Sequence, residues 1–304
     1  MTPLEALHPV VVLSFPAVVT IGDVALRLET LVAAVTVFAA LVLARLIARR
    51  TPIDLSRSTR VSSADADDPS WNYLWPSDLL FIAMAALPGA VIGGRIGYGL
   101  LHLDYLAANP DVLWRVTWGG MQMSLAVVGG TLTAIIVMRL VGAPVRRWLH
   151  ALALPLLLLL AGGKFAMVLG GAGQGLPWDG AWATTYTGVG PWGSLGPDVP
   201  SYPSAGIEGL ATCGLFLVVG CLMLARLFRK RTGAAFFLSL GLWAGMRAIV
   251  ATNWRDPYIA GPLRMDQIIS LWIALACLGG LATVYLYQFL NRERPRPALN
   301  SSRR

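Results

Sequence analysis

Seven long apolar runs dominate this chain of 304 residues. Each run is long enough for a helix to cross the hydrocarbon layer of a bilayer, which is roughly 30 Å thick. Only 13% of the residues are charged, whereas a soluble domain carries about 25%. The sequence therefore predicts an all-α integral membrane protein with seven transmembrane helices. The predicted spans lie at about 24–47, 79–101, 120–141, 149–171, 205–227, 234–251 and 266–290.

The basic residues alternate between the two sides of the predicted spans. Seventeen of the 24 Lys and Arg residues fall in the first, third and fifth connections and in the C-terminal tail, and four fall on the other side. Because cytoplasmic connections carry the excess of Lys and Arg, we predict an outside N-terminus and a cytoplasmic C-terminus. The net charge of +8 does not indicate a nucleic-acid partner, because the basic residues cluster at the ends of spans.

This pattern also predicts the domain organisation. Residues 1–290 form one seven-span domain, and residues 291–304 form a basic cytoplasmic tail. Within the domain, residues 51–77 are predicted to be a mobile cytoplasmic loop, because they are rich in Ser and Asp. Residues 172–204 are predicted to be an outside loop whose tryptophans lie at the headgroup level of the membrane, or form a merely structural belt.

Three cations, Arg95, Lys164 and Arg247, lie inside apolar runs that contain no mid-span Asp or Glu. A cation at mid-bilayer costs about 3 kcal/mol and usually faces a cavity, a partner or a substrate. With a rise of 1.5 Å per residue, all three lie roughly 20–24 Å from the cytoplasmic face. One shared layer in the outer half of the membrane predicts an anion site, and a lipid phosphate is the most abundant anion there. The alternative is that each side chain extends to the outer interface.

Other polar residues lie near the same predicted layer. Glu208 begins the fifth span, where it either contributes to the lipid site or forms a simple salt bridge with Lys164 or Arg247. His102 is the only histidine placed to transfer protons near the cations, and Asp266 is predicted to cap the last span. The three histidines show no metal-ligand spacing, so we predict no metal and no cofactor.

The stretch from Gly93 to Tyr98, GGRIGY, resembles the bacterial prolipoprotein diacylglyceryl transferases. The likeness extends over nearly the whole chain, in the family's order and with its seven spans. It implies a multi-pass enzyme of the inner membrane that moves diacylglyceryl from phosphatidylglycerol to the thiol of a lipobox cysteine in a preprolipoprotein signal segment. The further similar segments are Leu106 to Pro110, Trp118 to Met121, Tyr202 to Glu208, Arg247 to Val250 and Gly261 to Leu271.

The family's arginines are thought to bind the phosphate-bearing lipid, and here Arg95 and Arg247 match those positions. Together with the cation layer, this resemblance predicts two sets of site residues. The predicted lipid-binding residues are Arg95, Tyr98, Lys164, Glu208 and Arg247. The predicted catalytic residues are Arg247, Lys164 and His102.

The chain departs from the family's pattern at several positions that carry polar groups. Ser124 stands where the family has a histidine. A family segment with an arginine, two asparagines and a glutamate reads Lys164, Met167, Gly170 and Ala172 here. A histidine, an acid and a tyrosine of the family are replaced by Tyr202, Ala251 and Glu29.

Three functions remain open on these residues. The first is a divergent transferase whose base is His102 or Glu208. The second is a catalytically silent homologue that binds anionic phospholipid or a lipoprotein signal segment. The third is an anion channel or transporter, which the sequence disfavours because no polar residues continue from the cation layer toward the cytoplasmic side.

Overall fold

The computed structural model describes residues 10–13, 18–51, 74–113, 120–188, 194–228 and 233–292. Seven of its helices are long and apolar enough to cross a membrane, which confirms the seven predicted spans. A short helix, α3 (Leu103–Ala108), follows the second of them. The seven long helices are α1 (Leu28–Ala48), α2 (Pro76–Leu101), α4 (Met123–Leu140), α5 (Val145–Leu169), α6 (Ser204–Leu224), α7 (Ala234–Val250) and α8 (Met265–Arg292).

Short strands add three two-stranded sheets to the described part of the chain, which the all-helical prediction did not include. The predicted first span began too early, because residues 24–27 form the second strand of a hairpin that turns at Gly22, where φ is +61°. The strands are β1 (Val11–Leu13), β2 (Val18–Ile21), β3 (Val24–Arg27), β4 (Thr184–Tyr186), β5 (Tyr258–Ala260) and β6 (Leu263–Arg264). Strand β1 pairs with β4 in parallel, and the other two sheets are antiparallel hairpins.

Helices α2 and α4 pack backbone to backbone through glycines. A Cβ atom at Gly93 would overlap the carbonyl of Leu125, and one at Gly129 would overlap the carbonyl of Gly89. Small residues at such positions allow membrane helices to approach closely. The contact also places the start of α4 beside α2, because the Gln122 N–H donates to the Gly94 carbonyl at 3.0 Å.

The core of the bundle is built around α5 and α7, which are the most buried of the seven long helices. Trp148 of α5 and Trp243 of α7 are fully buried. Helix α5 packs against α1, α6 and α7, and α7 packs against α8. The outward faces of the bundle carry exposed Leu, Val, Ile and Phe side chains, as expected for helices that contact lipid.

The connection between α5 and α6 folds over the ends of these helices. The Leu176 N–H donates to the Asn253 carbonyl at 2.8 Å, which joins the connection to the end of α7. Trp178 stacks on Tyr202 with ring centroids 4.2 Å apart, and Trp182 is 77% exposed. The third tryptophan predicted to lie at the headgroup level, Trp192, lies outside the described residues, as do 52–73 of the predicted mobile loop and 293–304 of the predicted basic tail.

Candidate functional site

Four charged side chains from four helices meet at one end of the bundle: Lys164, Glu208, Arg247 and Asp266, which we call the charge cluster. Lys164 Nζ lies 2.9 Å from Glu208 Oε2, and Arg247 Nη1 lies 2.5 Å from Glu208 Oε1. Arg247 Nη2 lies 2.6 Å from Asp266 Oδ2. None of the four residues is more than 5% exposed. Glu208 therefore bridges both cations, and Asp266 completes a continuous chain of ion pairs.

The positions of these residues in their helices explain why they meet. Lys164 lies near the C-terminal end of α5 and Arg247 near that of α7. Glu208 is in the second turn of α6 and Asp266 is the second residue of α8. Because neighbouring helices alternate in direction, all four side chains lie at the bundle end that the charge pattern predicts to face outside.

The apolar runs of Lys164 and Arg247 contain no acid, and their carboxylate partners come from other helices. Each of the two cations has an ion pair with Glu208, and Arg247 has a second one with Asp266. The salt-bridge interpretation of Glu208 therefore describes its geometry. The alternative prediction, that these two cations extend to the outer interface, is wrong, because Lys164 is 2% exposed and Arg247 is 5% exposed. With two cations and two carboxylates, the charge cluster has a formal charge of zero.

All three guanidinium nitrogens of Arg247 contact acceptors within the protein. In addition to the two ion pairs, its Nε donates to Ser124 Oγ at 2.9 Å. Ser124 Oγ in turn donates to Asp266 Oδ1 at 3.0 Å and lies 3.3 Å from Ser270 Oγ. The Arg247 guanidinium is therefore held by three internal acceptors, one at each nitrogen.

Asp266 has a larger role than the helix cap that the sequence predicts. Its carboxylate accepts hydrogen bonds from Gln122 Nε2 and the Ser124 hydroxyl, and it forms an ion pair with Arg247. Gln122 also caps α4, since its Oε1 accepts from the Leu125 N–H at 2.6 Å. The carboxylate of Asp266 therefore links the start of α4 to α7 and α8.

The other predicted site residues, Arg95, Tyr98 and His102, lie on α2 or at its C-terminal end. Arg95 is buried, and its Nη1 donates to the Gly120 carbonyl at 3.4 Å. Tyr98 stacks on His102 with ring centroids 4.3 Å apart, and His102 Nδ1 lies 3.0 Å from the Tyr98 carbonyl oxygen. His102 is exposed, and within the described ranges no hydrogen bond or ion pair joins it to the charge cluster.

A tryptophan ring and the loop after α7 lie next to the charge cluster. Lys164 Nζ lies 4.4 Å from the centroid of the Trp254 ring. The loop after α7 is held to the β5–β6 hairpin, because the Arg264 guanidinium donates to the Asp256 carbonyl and, at 2.9 Å, to the Tyr258 hydroxyl. Burial raises the pKa of the Asp256 carboxyl above its ordinary value, and the negative charge of Asp266 raises it further.

Two of the positions that depart from the family's pattern face each other in the structure. The Glu29 carboxylate packs against Gly170, in space that a Cβ atom at Gly170 would occupy. Glu29 also pairs with Arg27 at 2.8 Å. Tyr202, a third such position, is held by its stack on Trp178. The structure therefore places these substitutions in packed contacts with one another or with their surroundings.

Sequence reasoning missed three members of this site: Gln122, Asp266 as an ion-pair partner, and Asp256. The position of Asp266 was the available signal. It lies in the first turn of α8, at the end predicted to face outside, and therefore at the level of the cations. Gln122 and Asp256 carry no comparable signal, because their places depend on how α4 and the loop after α7 pack.

Comparisons with known proteins agree with the resemblance seen in the sequence. The family model of prolipoprotein diacylglyceryl transferase matches residues 16–283. The chain is 25% identical to the phosphatidylglycerol–prolipoprotein diacylglyceryl transferase of Trichormus variabilis over 294 residues, which cover 94% of each protein. It is 28% identical to the protein of that name from Clostridioides difficile, over 69% of this chain and 78% of the relative. It is 32% identical to the protein of that name from Shewanella sp. (strain MR-4), over 70% of this chain and 76% of the relative.

Proposed function

We propose that this chain, which belongs to the prolipoprotein diacylglyceryl transferase family, moves a diacylglyceryl group from phosphatidylglycerol to a lipobox cysteine in the bacterial inner membrane. The family match over most of the chain supports the reaction class. The observation that carries the choice of site is the charge cluster, in which four helices bring buried charges together at one bundle end. With the orientation expected from the basic residues, that end faces the outer leaflet, where a secreted substrate presents its cysteine.

The reaction requires a thiolate and a stabilised leaving group. The cysteine gives its proton to a base, its sulfur attacks the glyceryl carbon, and the bond from that carbon to the phosphate oxygen breaks. Glycerol phosphate leaves with the bonding electrons. Hydrogen-bond donors that meet the negative charge on this phosphate lower the barrier. Arg247 supplies such donors at the charge cluster when it turns away from Glu208 or Asp266, and Lys164 adds a second cation.

We assign the proton transfer to His102 in preference to Glu208. Glu208 pairs with both Lys164 and Arg247, so each of its two carboxylate oxygens already contacts a cation. His102 is exposed at the end of α2, and its ring is oriented by Tyr98. An imidazole nitrogen can accept the proton of a thiol that lies within hydrogen-bond reach.

Complementation of a bacterial strain depleted of its own transferase tests this function. We expect the chain to restore growth and lipoprotein modification, and we expect Arg247→Ala to abolish the rescue. Arg139→Ala is the matched control, because Arg139 is exposed at the opposite end of α4. Failure of the native chain, with its membrane expression confirmed, would reject the transferase function.

A second function is supported by a specific observation. Every charged side chain of the charge cluster has an ion-pair partner within the cluster, so the cluster needs no substrate to balance its charges. Together with the replaced family residues, this supports a catalytically silent homologue that binds phospholipid or a lipoprotein signal segment. Such a protein would fail in complementation and would still retain phospholipid after purification.

A further inference from the structure

A donor headgroup that binds at the charge cluster brings its phosphate close to the two carboxylates of the cluster. Glu208 and Asp266 each lie within 2.6 Å of a guanidinium nitrogen of Arg247. Because the whole group is buried, solvent ions screen these charges little. A phosphate that approaches Arg247 therefore meets two negative charges as well as two positive ones.

We propose that Glu208 and Asp266 determine the headgroup selectivity of this site by holding it at zero net charge, so that it accepts zwitterionic phospholipids as readily as anionic ones. The inference rests on the proposed function in one respect, namely that the donor headgroup binds at the charge cluster. In a neutral cluster the attraction of a phosphate to the two cations is offset by its repulsion from the two carboxylates. The ammonium group of a zwitterionic headgroup gains what the phosphate loses.

The contacts of Asp266 support a fixed carboxylate in preference to a passive counter-ion. Gln122 and Ser124 donate to its Oδ1, and Arg247 pairs with its Oδ2. Ser124 stands where the family has a histidine, so the carboxylate is bound by a residue in which this chain departs from the family. The selectivity would then follow from this chain's own substitutions.

The proposal predicts opposite effects for opposite changes of charge. Asp266→Asn and Glu208→Gln each leave the charge cluster with one net positive charge, and Lys164→Gln leaves it with one net negative charge. At an effective dielectric constant of about 20, one unit charge changes the affinity for a charged group of the headgroup by about tenfold at a distance of about 12 Å, and by more at shorter distances. A purely structural disturbance would shift all three variants in the same direction.

The experiment measures the lipids that the protein retains. The full chain is reconstituted into nanodiscs that contain equal amounts of phosphatidylglycerol and phosphatidylethanolamine with identical acyl chains. It is then purified from them, and the lipids that remain bound are quantified by mass spectrometry. We expect a ratio of phosphatidylglycerol to phosphatidylethanolamine near one for the native chain. The ratio should rise by about tenfold or more in Asp266→Asn and Glu208→Gln, and it should fall in Lys164→Gln. Asp104→Asn is the matched control, because it changes the total charge equally at an exposed position of α3.

Either of two results would overturn the proposal. One is a strong preference of the native chain for phosphatidylglycerol. The other is a shift of all three cluster variants in the same direction, or no shift in any of them. The measurement uses no acceptor peptide, so a separate assay of diacylglyceryl transfer shows whether the proposed function itself has failed.

Discussion

Replacing Arg247 with methionine should lower the free energy of unfolding by about 3–5 kcal/mol, the usual cost of removing one partner from a buried ion pair. The structure indicates where the cost arises. Glu208 keeps Lys164 as its partner at 2.9 Å, whereas Asp266 keeps only the neutral donors Gln122 and Ser124. Most of the loss is therefore the penalty for a buried Asp266 carboxylate without a nearby cation.

A second variant tests whether the unpaired Asp266 carboxylate causes the loss. Asp266→Asn in the Arg247→Met background removes the unpaired charge, so it should recover part of the stability, with a coupling energy of about 0.5–3 kcal/mol. Thermal unfolding in a detergent of fixed composition, followed by tryptophan fluorescence, measures both variants. From about 2 °C per kcal/mol for a chain of this size, Tm should fall by roughly 6–10 °C in the single variant and rise again in the double variant.

Arg139→Met serves as the control, because Arg139 is exposed at the other end of the bundle and should change Tm little. The reasoning is refuted if Arg247→Met unfolds at the native temperature. It is equally refuted if the double variant is less stable than Arg247→Met by the full cost of a second independent loss. In either case the ion pairs would contribute nothing specific to the packing of α6, α7 and α8.

Three further predictions concern other parts of the structure. Burial and the charge of Asp266 raise the pKa of Asp256 in the folded state, so its contribution to stability is present at acid pH and is lost as the pH rises through that pKa. Asp256→Asn should therefore match the native Tm at acid pH and exceed it at neutral pH, and equal values throughout would contradict the shift. Gly93→Ala should cost about 1–3 kcal/mol by overpacking α2 against α4, whereas Gly163→Ala should be tolerated because nothing lies within 4 Å of its added Cβ; similar Tm values for the two would count against the close packing. His102→Gln should reduce diacylglyceryl transfer to a lipobox peptide by about 10²–10⁴-fold without changing lipid retention, and an unchanged transfer rate would exclude His102 as the base.

The fold was largely predictable because hydropathy and charge asymmetry are properties of each segment by itself. All seven spans were found in this way, and the residues Lys164 and Arg247 were recognised from the cost of a buried cation. The start of the first span was misplaced, because residues 18–27 form a hairpin whose second strand runs directly into the apolar helix. Hydropathy does not distinguish the two structures, and the turn at Gly22 does.

The pairing within the site was not predictable from single segments. Lys164 and Arg247 have no acid in their own helices, and their partners come from α6 and α8. Which helices are neighbours depends on packing, which the sequence of one span does not contain. Ser124 illustrates the same limit, since it reads as the loss of a histidine and in the structure connects Arg247 to Asp266.

The most direct test of the central claim is diacylglyceryl transfer by the purified chain itself. The chain in phosphatidylglycerol nanodiscs is mixed with a lipobox peptide, and mass spectrometry detects the added diacylglyceryl group on the cysteine thiol. If the charge cluster stabilises the leaving phosphate, the native chain modifies the peptide, and Arg247→Lys, which lacks the planar fork that binds Ser124, Glu208 and Asp266 together, is slower by about 10²-fold or more. Equal rates for the native chain and Arg247→Lys would contradict the account.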